Sequence, residues 1–248
     1  MPIIAVSANH FEQGAQIARR VAESLGYRFL GRELVEEVAR EHSLAASDLR
    51  RALEDPPGLF NRRRRRRLLL QLQAACLERL QEDGAVCYGL GAHLYLGGIS
   101  HALLVRILAE KPDPQEPVRR RWAQEFFQKD ESDPELYDMV LSLSTIEPGQ
   151  AVEIICETAG YRKFQPMTYS RKCLQDRLLE CRVHLQLMER FPEVKVQACD
   201  GTVVVQMRGL RLDQGKKQRA VREIARRVPG VEYVEVHVVR SFFDKAGE

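Results

Sequence analysis

The sequence has little of what disulfide-bonded, zinc-binding or membrane-spanning proteins need. Its six cysteines are scattered between Cys76 and Cys199, and none forms a C-x-x-C pair. With six scattered histidines they offer no zinc spacing, so we expect reduced thiols packed as small hydrophobic side chains in the cytoplasm. No charged and apolar leader opens the chain, and no apolar run approaches about 18 residues. We therefore expect neither secretion nor a transmembrane segment, and no metal site.

Net charge is also small, at +3 for 248 residues, so no global field argues for nucleic acid as a partner. The length allows one large domain or two modest ones. Positive charge is instead concentrated in two places that are candidates for an anion or partner contact. These are the run Arg62, Arg63, Arg64, Arg65, Arg66 and Arg67, and a basic helical stripe that includes Lys216, Lys217 and Arg222.

Two interpretations of these cationic clusters stay open. Six arginines at the start of a helix are unfavourable against the positive end of the helix dipole, so an anion, a carboxylate or a protein partner would compensate them. The alternative is a solvated helix face without a ligand. No aromatic residues interleave with the arginines, which argues against base stacking and makes nucleic acid an unlikely partner.

The first part of the chain alternates apolar strands with amphipathic helices. Ile3–Val6 is an apolar β-branched run, and a helical pattern follows it up to Gly26. The segments AVCYGLGAHLYL, ALLVRILAE and YDMVLSLS also read as strands, separated by helices. This alternation predicts a parallel α/β sheet with flanking helices over residues 1–160.

A linker over residues 161–172 leads to a part with a different pattern, residues 173–243. A helix from Cys173 to Phe191 precedes two strands that are joined by Asp200-Gly201, a strong hairpin signal. A further helix and the alternating segment VEYVEVHVV complete the order α-β-β-α-β. We therefore predict a second, small α+β domain.

Residues 1–160 resemble the cytidylate-kinase-like family, which has the fold of P-loop nucleoside monophosphate kinases. The resemblance lies in SANHFEQGAQIARRVAESLGYRFLGRELV, VCYGLGAHL, LLVRILAE and DPELYDMVLSLSTIEPGQAVEII, in that order. The last part resembles the BON module through Asp200-Gly201, Gly209 and Val228–Val231. That resemblance implies phospholipid or ligand binding, and here a peripheral membrane contact at the cytoplasmic face.

The first strand and helix flank the segment where a phosphate loop would lie. Such loops use glycine-rich backbone at a helix N-terminus to hold phosphates. Phe11, Glu12 and Gln13 stand where the family has glycines, and only Gly14 remains. The Glu12 carboxylate would repel a polyphosphate by about 1 kcal/mol or more.

Three further family positions differ, at Gly31, Leu90 and Ser142, and the lid segment is shortened to KPDPQEP. Losing one charge-stabilising group commonly costs a phosphoryl-transfer enzyme about 10³-fold in rate. The sequence therefore favours a pseudoenzyme with a degenerate Walker A loop. It would act in binding or regulation, without a cofactor and with an unidentified protein or anionic partner.

The alternative is a nucleoside monophosphate kinase, similar to cytidylate kinases, that uses an atypical loop with ATP and Mg²⁺. Its nucleotide- and phosphate-binding candidates, carried over from the resemblance, are Ser7, Asn9, Gly14, Gln16, Arg32, Gly89, Gly91, Arg119, Arg120 and Arg121. No residue stands out as catalytic. His93 and His101, and the acidic residues Glu131, Asp133, Glu135 and Asp138, are interpreted as packing and turn residues.

Overall fold

The computed structural model describes residues 1–55, 62–82, 84–208 and 214–239. They divide into two compact units, Met1–Arg171 and a unit that begins at Lys172. Three positions of interest in the sequence lie outside the described residues. They are the Pro-Pro-Gly segment 56–58, which is expected to break a helix, Asn61, a candidate cap for the helix that follows, and Gly209.

The first unit is built on a parallel five-stranded sheet with the strand order β2-β3-β1-β4-β5. The central strands β1, β3 and β4 come from apolar runs and are buried along almost their whole length, as expected for a parallel sheet covered on both faces. The predicted α/β sheet is thereby confirmed. The strands are β1 (Ile3–Ala8), β2 (Arg28–Leu30), β3 (Ala85–Tyr88), β4 (Ala102–Leu108) and β5 (Met139–Ser142).

Helices connect these strands and cover the sheet. Gly26 ends the first helix in the left-handed region, with φ of 65°, as its position predicts. The turn after β3 contains a short helix that the sequence pattern does not predict. The helices are α1 (Phe11–Leu25), α2 (Glu33–Glu41), α3 (Ala46–Glu54), α4 (Arg62–Arg79), α5 (Ala92–Tyr95), α6 (Glu116–Phe127) and α7 (Pro148–Ala159).

The apolar faces of α1 and α7 form one hydrophobic core with the sheet. Ile17 and Val21 of α1 and Ile155 of α7 are almost fully buried beside Ile4 and Val105. Each such side chain contributes about 1.5–3 kcal/mol to folding by its burial. This core holds the first turn of α1 in a defined position at the end of β1.

The second unit has a three-stranded sheet with the order β6-β7-β8. Strands β6 and β7 are antiparallel, and the turn between them has positive φ at both Asp200 (47°) and Gly201 (78°), as in the predicted tight hairpin. Strand β8 pairs with β7 in parallel. The elements are α8 (Thr168–Met188), β6 (Val194–Cys199), β7 (Thr202–Arg208), α9 (Gln214–Arg226) and β8 (Tyr233–Val239).

Helix α8 begins at Thr168, before the predicted start at Cys173, and a 3-10 helix spans Arg162–Phe164. Much of the predicted linker is therefore helical. Among the described residues, no helix combines the length and the apolar character that crossing a bilayer requires. All six cysteines are free thiols, and Cys76, Cys87 and Cys181 are buried.

Candidate functional site

A cleft of about 780 Å³ lies at the carboxyl ends of β1 and β3, beside the start of α1. In open parallel sheets this edge is where ligands bind. Five residues predicted from the family resemblance line the cleft, although this placement does not test their proposed roles. They are Ser7, Arg32, Gly89, Gly91 and Arg119.

The N-terminus of α1 points its backbone donors at groups of the chain itself. The Phe11 N–H donates to the Asp113 carboxylate at 2.5 Å, and the Gly14 N–H donates to the His10 carbonyl. The Gln13 N–H faces the His10 ring at 3.5 Å. Asp113 also donates its own N–H to the Asn9 carbonyl at 2.9 Å. A carboxylate thus lies at the helix end where a phosphate-binding protein would place its phosphate.

Arg119 and Arg106 join this carboxylate to a charged network behind the cleft. Arg119 contacts Asp113 at 3.4 Å and Glu116 at 2.9 Å. Burial opposes the charge of Arg119, but the hydrogen bond and charge of Glu116 and the charge of Asp113 together outweigh it and raise the pKa of the guanidinium. Arg106, which is buried, pairs with Glu116 and donates to the Ser7 hydroxyl at 2.5 Å. Arg119 is therefore held by two carboxylates of the chain.

Asn9, Gly14 and Gln16 do not line the cleft. The Asn9 amide is buried and exchanges two hydrogen bonds with the backbone of Ala109, at 2.6 and 3.2 Å. A Cβ on Gly14 would lie 2.4 Å from that of Ala8, so this glycine allows α1 to approach β1 closely. Gln16 is exposed. In this structure Asn9 and Gly14 serve the packing of the loop.

Aromatic rings form part of the cleft wall. The Phe11 and Tyr88 rings are 5.1 Å apart, and the Tyr88 hydroxyl donates to the Phe11 carbonyl at 2.6 Å. The Arg32 guanidinium lies 3.8 Å from the centre of the Phe11 ring. Trp122 is buried, and its indole N–H donates to the Ala52 carbonyl at 3.1 Å. Its position in a helical pattern with Phe126 and Phe127 predicts a packing role, and this placement agrees with it.

Gly89 and Gly91 follow β3 with positive φ, at 74° and 70°. A Cβ on Gly91 would lie 2.8 Å from the Trp122 ring, and one on Gly89 would lie 3.1 Å from the Phe11 ring. Both the backbone conformation and the space therefore require glycine at these two positions. The glycines let the two aromatic rings approach the turn.

A buried His93–Glu131 pair is the feature of the cleft that the sequence analysis missed. His93 Nε2 and Glu131 Oε1 are 2.8 Å apart, although they are not aligned as a regular hydrogen bond, and the His93 ring stacks on Tyr137. Burial raises the pKa of Glu131, but the contact with His93 and the charges of Arg106 and Arg119 together outweigh it, so the net pKa is lowered. Tyr137 is also affected by burial, which raises its pKa to about 12. No spacing in the sequence links the two residues of the pair.

The neighbouring acidic residues have the turn role that the sequence predicts. Asp133 caps a 3-10 helix by accepting the Glu135 N–H at 2.9 Å, and Asp138 accepts the Leu104 N–H at 3.0 Å. Within the part of the chain that the structure describes, no group of histidine, cysteine and carboxylate side chains is suited to hold a metal ion.

Arg120 and Arg121 lie outside the cleft lining. Arg120 pairs with Asp130 at 3.0 Å, and this bond lowers the pKa of Asp130 to about 2. Arg121 is exposed. Of the three lid-side arginines predicted from the resemblance, the structure therefore brings only Arg119 to the cleft.

The arginine run at the start of α4 is bound largely by neighbouring helices. Arg62 pairs with Glu125 at 3.1 Å, and Arg64 pairs with Asp48 at 2.6 Å. Arg65 donates to the Ala52 carbonyl at 2.8 Å and lies over the Phe126 ring. Arg63, Arg66 and Arg67 are exposed or half-buried and also have interactions. Carboxylates and carbonyls of the first unit thus compensate much of this charge.

The cations of α9 have a different environment. Lys216 and Lys217 are exposed, and Arg222 lines a shallow depression with Arg219, Arg226 and the Glu223–Arg227 pair. Within the described residues, Lys216, Lys217 and Arg222 have no ion-pair partner. An anion contact at this helix stays a prediction.

Comparison with protein families gives a match to the cytidylate kinase-like family over residues 3–121, slightly less than half of the chain. This match supports kinase-like family membership for that part of the chain. No curated protein matches the sequence at a significant level.

Several solved structures are similar to this chain. An uncharacterized protein from Eubacterium ventriosum ATCC 27560 has 14% identity and a TM-score of 0.48, covering 65% of this chain and 100% of its own. Shikimate kinase from Aquifex aeolicus vf5 has 20% identity, a TM-score of 0.38, and coverage of 63% and 95%. Shikimate kinase from Acinetobacter baumannii, in complex with shikimate, has 14% identity, a TM-score of 0.37, and coverage of 64% and 92%.

Proposed function

We propose that this protein is a non-catalytic member of the cytidylate-kinase-like group that acts by binding, in a regulatory role in the cytoplasm. The observation that carries the proposal is the Asp113 carboxylate at the N-terminus of α1, where it accepts the Phe11 N–H at 2.5 Å. A phosphate at this helix end would compete with that carboxylate for the same donor. The phosphate loop is therefore interpreted as degenerate.

The neighbouring charges support the same proposal. Arg119, which would otherwise neutralise a phosphate, contacts both Asp113 and Glu116. Glu12 adds an exposed carboxylate at the second position of α1. Phosphoryl transfer depends on cations and backbone donors that remain available to the transferred group. The residues present at this loop do not fit ATP and Mg²⁺.

The C-terminal unit is proposed to be a BON-like module that provides a second contact surface. Its support is the element order from α8 to β8 and the hairpin at Asp200-Gly201. The cations of α9 would contact an anionic partner or a membrane surface. Removing them would then weaken that contact without changing the first unit.

A nucleoside monophosphate kinase with an atypical loop is the second candidate function. The observation in its favour is that Ser7, Arg32, Gly89, Gly91 and Arg119 line one cleft at the carboxyl edge of the sheet. It would require Asp113 to leave the helix end when ATP arrives. Nucleotide binding by the unmodified protein separates the two candidates.

Thermal unfolding with Mg²⁺ and each of ATP, GTP, CMP, dCMP and UMP tests the proposal. A ligand at a hundred times its Kd stabilises by about 2.7 kcal/mol, which shifts the midpoint by a few degrees. We expect no shift for the unmodified protein. A clear shift with ATP and one monophosphate, followed by phosphoryl transfer between them, would refute the non-catalytic proposal.

The variant Asp113→Ala tests the observation behind the proposal. Removing the carboxylate frees the Phe11 N–H and one face of Arg119, so inorganic phosphate should stabilise this variant but not the unmodified protein. Glu153→Ala is the matched control, because it removes an exposed carboxylate of α7 outside the cleft. If phosphate stabilises neither protein, the Asp113 carboxylate is not what excludes anions.

A further inference from the structure

The walls of the cleft carry more negative than positive charge. Among the described residues, six carboxylates and three guanidinium groups line it, which leaves three negative charges in excess before His93 is counted. Just behind the wall, Arg19 pairs with Glu33, which is one of these carboxylates, and Arg106 pairs with Glu116. Counting Arg19, Arg106 and Glu116 as well leaves two negative charges in excess. The carboxylates are Glu12, Glu33, Glu36, Glu54, Asp113 and Glu131.

The three guanidinium groups of the wall are already bound. Arg32 pairs with Glu54 at 3.0 Å, Arg50 pairs with Glu36, and Arg119 pairs with Asp113. None of them is available to neutralise an anionic ligand without leaving a carboxylate behind. The excess charge therefore opposes a phosphate in the cleft of the unmodified protein.

Glu131 provides an observation that is independent of the charge count. Its side chain is 5% exposed, and its Oε2 atom has no hydrogen-bond partner among the residues that the structure describes. A buried carboxylate oxygen without a donor is costly, so a donor that reaches it is favoured. Glu131 lines the cleft, and because its Oε2 atom is covered, a ligand there would contact it through a small side-chain movement or a bridging water.

The aromatic wall already accepts a cation of the chain. The Arg32 guanidinium lies 3.8 Å from the centre of the Phe11 ring. Tyr88 and Trp122 extend the aromatic surface of the cleft. Aromatic faces next to carboxylates are the chemistry by which proteins recognise ammonium and guanidinium groups. The contact of Arg32 with Phe11 shows this chemistry within the molecule.

We propose that the cleft binds an organic cation with amine or guanidinium groups, with Glu131 on its inner wall and Phe11, Tyr88 and Trp122 on its aromatic side. This inference rests on the proposed function, because it assigns a ligand class to the same cleft. A volume of about 780 Å³ accommodates a linear polyamine or an arginine or lysine side chain of a partner. Both sources share the same cationic chemistry.

Isothermal titration calorimetry of the full chain with spermidine and with N-acetyl-arginine amide tests the proposal. We expect binding of at least one probe, with affinity that falls as salt is added, because screening weakens exposed charge pairs. Binding of spermidine alone would identify a free polyamine as the source. Binding of the arginine probe alone would indicate the side chain of a protein partner.

Two substitutions locate the bound cation. Glu131→Gln removes the inner carboxylate but keeps its shape, and we expect about tenfold weaker binding. Glu12→Gln removes an exposed charge at the rim, where no core packing is at risk, and we expect about threefold weaker binding. Glu153→Gln, an exposed carboxylate outside the cleft, is the matched control and should leave the affinity unchanged.

The inference is overturned if neither cation binds, or if binding is equal in all three variants. The first result would leave the non-catalytic proposal standing, provided that the nucleotide panel also gives no shift. Nucleotide binding with Mg²⁺ would instead refute the proposed function itself. Circular dichroism of each variant separates a lost ligand contact from a lost fold.

Discussion

In the first unit the cations at the cleft are held by carboxylates, whereas most cations of α9 in the second unit have no ion pair with another described residue. Arg106 is 4% exposed and pairs with Glu116, while Arg222 is half-buried and has no ion-pair partner in the described part of the chain. The residue type is the same, and the surroundings decide whether its charge remains available. Charge that the chain satisfies internally stabilises the fold, whereas charge left at the surface is free to meet a partner.

Glu131, a buried carboxylate of the first unit, and Glu180, a half-buried one of the second unit, differ in a related way. Burial raises the pKa of both Glu131 and Glu180. In Glu131 the contact with His93 helps to reverse this effect, so the pKa is lowered overall. In Glu180 the bonds with Arg177 and the Ala198 N–H do not reverse it, so the pKa stays raised. The partner, and not burial alone, therefore sets the sign of the pKa shift.

Breaking the network behind the cleft should give the largest effect. Glu116→Ala leaves the buried Arg106 without its carboxylate, and we expect a loss of about 3–5 kcal/mol in the free energy of unfolding. Trp122 is the single tryptophan and belongs to the first unit, so its fluorescence during urea unfolding reports on this unit.

The matched control for that loss is Glu223→Ala in α9, which breaks the exposed pair with Arg227. Its cost should be about 0.5 kcal/mol or less, because exposed pairs of this spacing contribute little. Hydrogen exchange of the second unit measures it. A loss below about 1 kcal/mol for Glu116→Ala would mean that Arg106 is relaxed into solvent after the change.

Glu131→Gln should reduce the stability of the first unit at pH 7 by about 1–3 kcal/mol. The pKa of Glu131 is lower in the folded protein than its ordinary value of 4.5, so the ionised side chain contributes fully to stability above pH 4.5. This contribution is lost as the pH falls below 4.5 and passes the pKa of Glu131 in the folded protein. Urea titrations at several pH values should therefore show the two proteins converging in acid, and a constant difference would contradict the His93–Glu131 pairing.

Glu180→Gln should show the opposite pH dependence. The pKa of Glu180 is raised above its ordinary value of 4.5, so the ionised group costs stability near neutral pH and regains it as the pH falls toward 4.5. Glutamine keeps an acceptor for the Ala198 N–H, which lies 3.1 Å from Glu180 Oε1. We expect a variant as stable as the unmodified protein, or up to about 1 kcal/mol more stable, at pH 7. Hydrogen exchange of β6 and β7 is the measurement, and a marked loss of protection at pH 7 would contradict this expectation.

Local patterns were enough to predict the sheet and several helix ends. Apolar runs predict β1, β3 and β4, Gly26 predicts the end of α1, and Asp200-Gly201 predicts the hairpin. These features depend on neighbouring residues and on burial, which the sequence displays directly.

The site depends on contacts between distant parts of the chain, which local patterns do not show. Phe11 and Asp113 are 102 positions apart, and the Asn9 side chain bonds to Ala109, which is 100 positions away. The family resemblance predicts Asn9 as a ligand-binding residue, whereas its hydrogen bonds to Ala109 exist only after the sheet has formed. His93 and Glu131 are predicted to serve packing and turns because nothing local pairs them.

The smallest expected effect lies at the surface of α9, and it completes the comparison of paired and unpaired cations. Arg222 has Arg219 three positions before it and Arg226 four positions after it, so it meets like charges on one helix face. Arg222→Gln relieves this repulsion and should stabilise the second unit by about 0.2–0.5 kcal/mol at low salt. Added salt should remove the gain, because it screens exposed charges. Hydrogen exchange at low and high salt measures it, and a destabilised variant would show that Arg222 supports the fold and is not held available for an anionic partner.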